Sequence, residues 1–351
     1  MPEGPVAGQE GVVGPAARSA PRPAMVPTLP RSLYLETTNR CDSKCETCVR
    51  TFQTLEPPKD LTLAELTRIV DQFPALDRVV LHGVGEPLLN RELVPMIAYL
   101  KAKGATVLFN SDAITLTPAR ARELIESGLD EYRVSMDAAI RETYRRIRGV
   151  DRFDRVVRNV RAMVALEREL ARTRPRVSIW FTAMRANLQE LPAFVRLAVD
   201  LGVPEVHVQR LVWNGLGLAV EGESLHRALR EEEQQLLDEA EAIARAGGVL
   251  LTASGLTTPK ASLDGSGDER RPWAGCQRPW TLAYVTANGN ALPCCISPWS
   301  AKDYPGLILG NAFEEPFAEI WNGERYRAFR TRFESDIPPD PCRGCGRLWS
   351  I

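Results

Sequence analysis

At 351 residues, 44% apolar and 25% charged, the chain is long enough to bury a sizeable core and reads as two domains. Its 44 Lys and Arg nearly balance 45 Asp and Glu, a net charge of -1 that excludes the basic footprint of a nucleic-acid or anionic-lipid binder and suits a small neutral or zwitterionic substrate. No stretch is apolar enough to span a membrane, and eight cysteines without an export signal point to cytoplasmic metal or redox chemistry rather than to disulfides.

The opening residues, 1–30, are rich in Pro, Gly and Ala and read as a disordered tail, with Met25 the expected native start. From 31 to 253, short β-branched or apolar runs alternate with helical patterns, the signature of βα units around a parallel sheet. Six strands are predicted, at 33–38, 79–82, 105–109, 131–136, 177–181 and 206–210. Between them, Thr62 and Glu65 form a capping box ahead of an apolar face of Leu63, Leu66, Ile69, Val70 and Phe73. Thr117-Pro118 opens another helix that Gly128 closes, and a longer one runs over 231–246 to stop at Gly247-Gly248. Six units fall short of the eight of a closed barrel, so the expected fold is α/β, a partial (β/α)6 TIM-like barrel with an open side. Residues 254–271 are polar, rich in turn formers, and read as a linker. Beyond them, 272–351 form a small α+β domain. It begins with a hairpin, "TLAYVTANGNALPCC", turning at Asn288-Gly289 in type I′ geometry, and continues with an amphipathic helix over 314–333.

In "TTNRCDSKCETCVRTF", Cys41, Cys45 and Cys48 directly follow the first predicted strand, where a parallel sheet places its binding loops. Three thiolates on a short loop can hold three corners of a cubane cluster and leave the fourth iron open. A zinc site would want a fourth ligand, yet no further His or Cys lies within 30 residues of Cys48. The spacing resembles the hallmark of the radical S-adenosylmethionine (SAM) superfamily. That resemblance implies a [4Fe-4S] cluster on these three cysteines, SAM chelated to its open iron, and a 5′-deoxyadenosyl radical that abstracts hydrogen from an unactivated C–H bond. Thr47 departs from the aromatic residue many members carry before the third cysteine. "HGVGEPLLN" resembles the family's Gly-Gly-Glu-Pro motif at the SAM amino group, with Val84, Gly85, Glu86 and Pro87 in the matching places and Val84 replacing the first glycine. Asn110 and Ser111 end the third strand and Ser135 the fourth, where the family commonly binds the SAM carboxylate or ribose; ordinary turn chemistry is the alternative.

Cys276, Cys294, Cys342 and Cys345, set around the hairpin and "EIWNGERYRAF", resemble the twitch domain, the shortened form of SPASM. The resemblance implies one auxiliary [4Fe-4S] cluster, saturated by four thiolates and suited to electron transfer; structural zinc is the alternative. Cys295 is left over, either as a small buried residue or substitute ligand, or as the hydrogen-atom donor of an epimerase-type reaction. Arg210, ending the sixth strand, is expected to point into the barrel toward a substrate carboxylate or hydroxyl, with a surface ion pair as the competing reading. His82 reads as a ligand-facing or packed strand-end group, and Asn187 as a helix cap.

Twitch enzymes of this length resemble 2-deoxy-scyllo-inosamine dehydrogenase, aminoglycoside epimerases and cytosylglucuronate decarboxylase, which act on sugar-like rings. The expected function is therefore hydrogen abstraction from a carbinol carbon of a sugar, aminocyclitol or nucleoside in natural-product biosynthesis. Oxidation or decarboxylation is the expected outcome ahead of epimerisation, with a flavodoxin- or ferredoxin-type electron donor and no nucleic-acid or membrane partner. A peptide-modifying enzyme that forms crosslinks is the alternative, and a noncatalytic iron-sulfur electron carrier comes third.

Overall fold

A computed structural model describes residues 21–255, 257–264, 271–300 and 303–343. The six predicted strands are present as β1 Ser32–Leu35, β2 Arg78–Val80, β3 Thr106–Ser111, β4 Glu131–Ser135, β5 Arg176–Ala183 and β6 Glu205–Arg210. All run parallel in chain order, with helices between them, as the α/β partial barrel requires. Alternation along each strand sorts its side chains into two faces. Leu33, Val79, Val107, Phe109, Tyr132, Val134, Ile179, Phe181, Val206 and Val208 turn toward the helices and join one continuous core. The opposite, inner face carries Asn110 in register with Arg133, Ser135 with Trp180, and Trp180 with His207. The functional chemistry has to be sought on that face.

The helix signals act as read. Thr62 accepts from the Glu65 N–H at 3.2 Å while Glu65 accepts from the Thr62 N–H at 2.8 Å, a reciprocal cap of about 1 kcal/mol. Thr117 caps Pro118–Glu126, and Glu231–Gly247 ends on Gly248 in the left-handed conformation.

Several expectations need correction. A seventh parallel strand, β7 Leu250–Ala253, extends the edge beyond β6; it starts two residues after the helix-ending glycine, too close to separate from the helix stop by pattern. The region read as a linker contributes a short helix, Pro259–Asp264, whose Leu263 is buried, while residues 256 and 265–270 lie outside the described residues. The small C-terminal domain continues the barrel's sheet. Its β8 Leu282–Val285 pairs in parallel with the free edge of β1, and β9 Asn290–Leu292 and β10 Gly310–Asn311 follow antiparallel, making one 10-stranded sheet. Only Gly289 of the turn is left-handed (φ 85°), so the hairpin closes through a wider loop from Thr286 to Asn290 instead of type I′. The expected helix over 314–333 breaks at Gly323 into Phe317–Asn322 and Glu324–Phe333.

The tail expected to be disordered to residue 30 is packed from residue 21, while residues 1–20 lie outside the described residues. Arg22 stacks over the Trp280 ring at 4.0 Å and pairs with Glu334 at 2.7 Å; Val26 exchanges hydrogen bonds with Asn322. Met25 itself is exposed. Among the described residues, no helix is long and apolar enough to cross a membrane.

Candidate cluster and cofactor site

The cysteine loop leaves the carboxyl end of β1. Cys48 donates its N–H to the Cys45 carbonyl at 3.0 Å and stands before the short helix Val49–Phe52, and the Ser43 N–H donates to Cys41 Sγ at 3.4 Å. Neighbouring segments brace the loop by backbone. Lys44 and Glu46 donate to the carbonyls of Arg148 and Ile147 (3.1 and 2.8 Å), and Leu218 donates to Glu46 (2.7 Å). Gly149 makes the first contact possible, since a Cβ there would lie 2.1 Å from the Lys44 carbonyl oxygen.

Burial pushes the Cys41 and Cys45 thiols up to about 12 and Cys48 to about 11. Asp112 and Glu86 add to the shift at Cys41, while buried Arg148 opposes it at Cys45. Each thiol stays neutral until metal binding at sulfur displaces its proton. Cys41 lies in the field of Cys45, Cys45 in that of Cys48, and Cys48 in that of Cys41. Cys41, Asp42 and Asp112 also bring ligand atoms within 4.8 Å of one another. Three soft thiolates against two hard carboxylates still favour an iron-sulfur cluster over an oxygen-loving cation.

The segment Gly83-Val84-Gly85-Glu86-Pro87 lies directly against this loop. A Cβ on Gly85 would sit 2.0 Å from the Thr38 carbonyl oxygen and 2.7 Å from that of Arg40, so this glycine allows two protein loops to touch rather than a ligand to approach. The Glu86 carboxylate is fully engaged, accepting from Leu88 N–H (2.9 Å), Ser111 Oγ (2.8 Å) and Asp112 N–H (2.7 Å). Gly85→Ala is expected to force the segment from the cysteine loop, an overpacking of about 1–3 kcal/mol. The readout is SAM affinity by equilibrium dialysis, weakened about tenfold or more at unchanged iron content.

Strand alternation divides the remaining predicted residues. Asn110 and Ser135 face inward. Ser111 faces the helices, donating to Glu86 at 2.8 Å and accepting from the Ala113 N–H at 2.9 Å, so its hydroxyl is engaged within the protein. Arg210 shares its side of β6 with Val206 and Val208, and its Nη1 lies 3.4 Å from His226 Nδ1; Gln209 takes the inward place assigned to the arginine. Asn187 stands at the N-cap of the short turn Leu188–Glu190 without a side-chain cap hydrogen bond. It donates to the carbonyls of Asp137 and Thr182, both at 2.9 Å, and so ties the ends of β4 and β5 together.

On the inner face, Trp180 and His207 stack at 4.0 Å between centroids, Arg133 lies 4.8 Å over the Trp180 ring, and His207 Nδ1 meets Thr252 Oγ1 at 2.9 Å. Burial, helped by Arg133, lowers His207 to about 3 and His82 to about 4, so both rings are neutral. His82 stacks on Trp299 of the C-terminal region at 6.4 Å. Sequence reasoning missed Glu36, Asp112, Asp137 and Arg148. Arg148 donates to Asp137 Oδ2 at 3.0 Å, and Asp112 accepts from Ser43 Oγ at 2.6 Å. Arg148-Gly149, closing the helix that braces the cysteine loop, was the one readable signal.

The C-terminal region forms a second thiol site. Cys276, Cys294 and Cys342 line one cavity together with Pro279, Phe329 and Phe333, while Cys345 lies outside the described residues. Cys295 is absent from that wall. It is buried next to the site, in the field of Cys294 and Cys276. Cys295→Ala is accordingly expected to keep the full iron and sulfide content of the reconstituted protein. Loss of about four irons would make it a ligand instead.

Comparison with known proteins accords with this geometry. Residues 35–173 match the radical SAM superfamily and residues 276–346 the SPASM iron-sulfur cluster-binding domain. The PqqA peptide cyclase of Streptomyces rochei is 27% identical over 320 residues, spanning 90% of this chain and 81% of that protein. That of Gluconobacter oxydans is 26% identical over 327 residues, spanning 92% and 84%. Among solved structures, Streptococcus suis SuiB bound to S-adenosylmethionine superposes with a TM-score of 0.68 at 15% identity, over 87% of this chain and 68% of that one, a likeness of fold.

Proposed function

We propose that this radical SAM enzyme, which binds SAM at one [4Fe-4S] cluster and carries an auxiliary iron-sulfur cluster, acts on a peptide and forms a crosslink within it. The observation that carries this reading is the alignment with PqqA peptide cyclases, which runs through barrel and C-terminal region alike. The sugar-like ring expected from the sequence has no comparable support among these relatives. When bound, SAM and the two clusters supply a hydrogen-abstracting radical and a one-electron acceptor, so that crosslinking removes one hydrogen as an atom, one as a proton and one electron.

The chain's part is to hold and orient. Cys41, Cys45 and Cys48 hold the first cluster, the backbone around Val84 and Gly85 faces SAM, and Asn110 and Ser135 offer polar groups from the inner face. Cys276, Cys294, Cys342 and Cys345 hold the second. Among the described residues the sheet does not close, since β7 and β10 are its two edges, which leaves a side from which an extended chain can approach the Arg133, Trp180 and His207 wall. A flavodoxin- or ferredoxin-type donor belongs to the same proposal.

The test is anaerobic incubation with dithionite and SAM, offering in parallel short peptides encoded beside the gene and a panel of sugars and aminocyclitols. A peptide product lighter by two hydrogens, formed with matching 5′-deoxyadenosine, supports the reading. Turnover of the sugar panel alone would replace it with the carbinol-oxidation reading.

A further inference from the structure

The chain's net charge of -1 conceals one uneven stretch: between residues 141 and 161 stand eight arginines against three acidic residues. Two of those acids, Asp151 and Asp154, are taken up by Arg141 at 2.7 and 3.4 Å. Arg148 is buried and pairs with Asp137 at 3.0 Å. Arg145, Arg146, Arg152, Arg155, Arg158 and Arg161 are all exposed, and among the described residues no carboxylate pairs with any of them. They ride on the helices Arg141–Arg148 and Phe153–Glu169, whose apolar sides, with Tyr144, Val156, Val160 and Met163, join the core outside the sheet. Tyr144 meets Phe153 edge to face at 5.7 Å, so the end of one helix and the start of the other make a single surface. One end of that surface touches the cysteine loop. The carbonyls of Arg148 and Ile147 receive the N–H groups of Lys44 and Glu46, and Gly149 packs directly on the Lys44 backbone. Lys44, between Cys41 and Cys45, is itself exposed and has no carboxylate partner among the described residues, so the positive surface runs onto the loop.

We propose that this arginine face, continued by Lys44, is where the protein electron donor docks, a small acidic flavodoxin-type carrier that reduces the cluster of Cys41, Cys45 and Cys48. The carrier's flavin gives up one electron and the cluster gains it; no atom is transferred. A positive surface with few counter-charges collects an acidic partner by long-range attraction and orients it as it lands. Placement favours a carrier over the substrate. A substrate has to reach the inner face, on the other side of the sheet, whereas an electron needs only a short path to the cluster. Here Arg145 and Arg146 stand in the last turn of the helix whose end is hydrogen-bonded to the loop. The inference rests on the reading that a carrier protein feeds the cluster and makes no use of the peptide substrate, so it can fail while the crosslinking reading stands.

The experiment uses the reconstituted full chain and an acidic flavodoxin. Affinity for oxidised flavodoxin is measured by calorimetry at several salt concentrations, and SAM cleavage to 5′-deoxyadenosine is driven anaerobically by reduced flavodoxin or, in parallel, by dithionite. Arg152→Gln, Arg155→Gln and Arg158→Gln combined should weaken flavodoxin binding about tenfold or more at low salt, flatten its salt dependence and slow the flavodoxin-driven reaction. Iron content and dithionite-driven cleavage should stay at the parent's level, because these side chains lie on the exposed helix surface away from the thiols. Lysine at the same three positions, which keeps the charge, should bind nearly as the parent does. Unchanged affinity in the glutamine variant overturns the inference and leaves the face to another acidic partner, such as an acidic segment of the substrate. Equal slowing with dithionite overturns it too, since the damage would then lie at the cluster rather than at a docking surface. So does a parent protein that binds no flavodoxin at low salt.

Discussion

Alanine at Cys45 is expected to reduce 5′-deoxyadenosine formation to background and to remove about four of roughly eight irons from the anaerobically reconstituted protein. A cubane held at three corners has no spare protein ligand, so removing one thiolate leaves two, and the nearby Asp42 and Asp112 are hard donors that iron-sulfur chemistry does not favour. The fold should survive the change. The loop is anchored through the backbone of Lys44 and Glu46 to Arg148 and Ile147, and none of those bonds involves a sulfur. Thermal stability should therefore fall only by what cluster binding itself adds. Iron analysis, EPR and chromatographic assay of the nucleoside together check this. Retained iron with undiminished SAM cleavage would move the reactive cluster elsewhere in the chain.

Much of this site was legible because it rests on local signals. Three cysteines after an apolar run, a glycine-rich turn after the next run, and helix caps between them all act within a few residues. What stayed hidden depends on which way a strand faces. Asn110 and Ser111, or Gln209 and Arg210, are neighbours in sequence, yet one of each pair looks inward and the other into the helices, and a one-residue choice of register reverses both. Composition likewise marked residues 21–30 as disordered, since Trp280, Phe333 and Asn322, on which that segment rests, lie some 250 or more positions away. The substrate is the hardest part to read. The cysteine and glycine loops carry motifs, whereas the inner wall is assembled one residue per strand from Arg133, Trp180 and His207, with no motif to announce it.

Glu36, which no sequence signal marked, is expected to be a costly carboxylate to lose. It is 3% exposed at the carboxyl end of β1, and its two oxygens accept from the Val84 N–H at 2.7 Å and the Ala287 N–H at 3.1 Å. It thus ties the cofactor segment after β2 to the hairpin of the C-terminal region. Glu36→Ala leaves both buried N–H groups without an acceptor and opens a small cavity, a loss of about 3–5 kcal/mol. Glu36→Gln keeps one acceptor but turns an NH2 toward the other donor, and should cost about 1–3 kcal/mol. The two variants also differ from the parent in pH dependence. Burial, against the pull of the two N–H donors, raises the Glu36 carboxyl from 4.5 to about 7. The folded chain therefore holds a proton that the unfolded chain has released, so Glu36's contribution is fully present below about 4.5 and is lost as pH rises to about 7, a change of about 3 kcal/mol. Denaturant unfolding of parent and Glu36→Gln across that window should show their gap narrowing as pH rises, because only the parent titrates. A gap that stayed constant from pH 5 to pH 8 would mean the carboxyl is already ionised in the fold. The tie would then be a charge held by two amide dipoles alone.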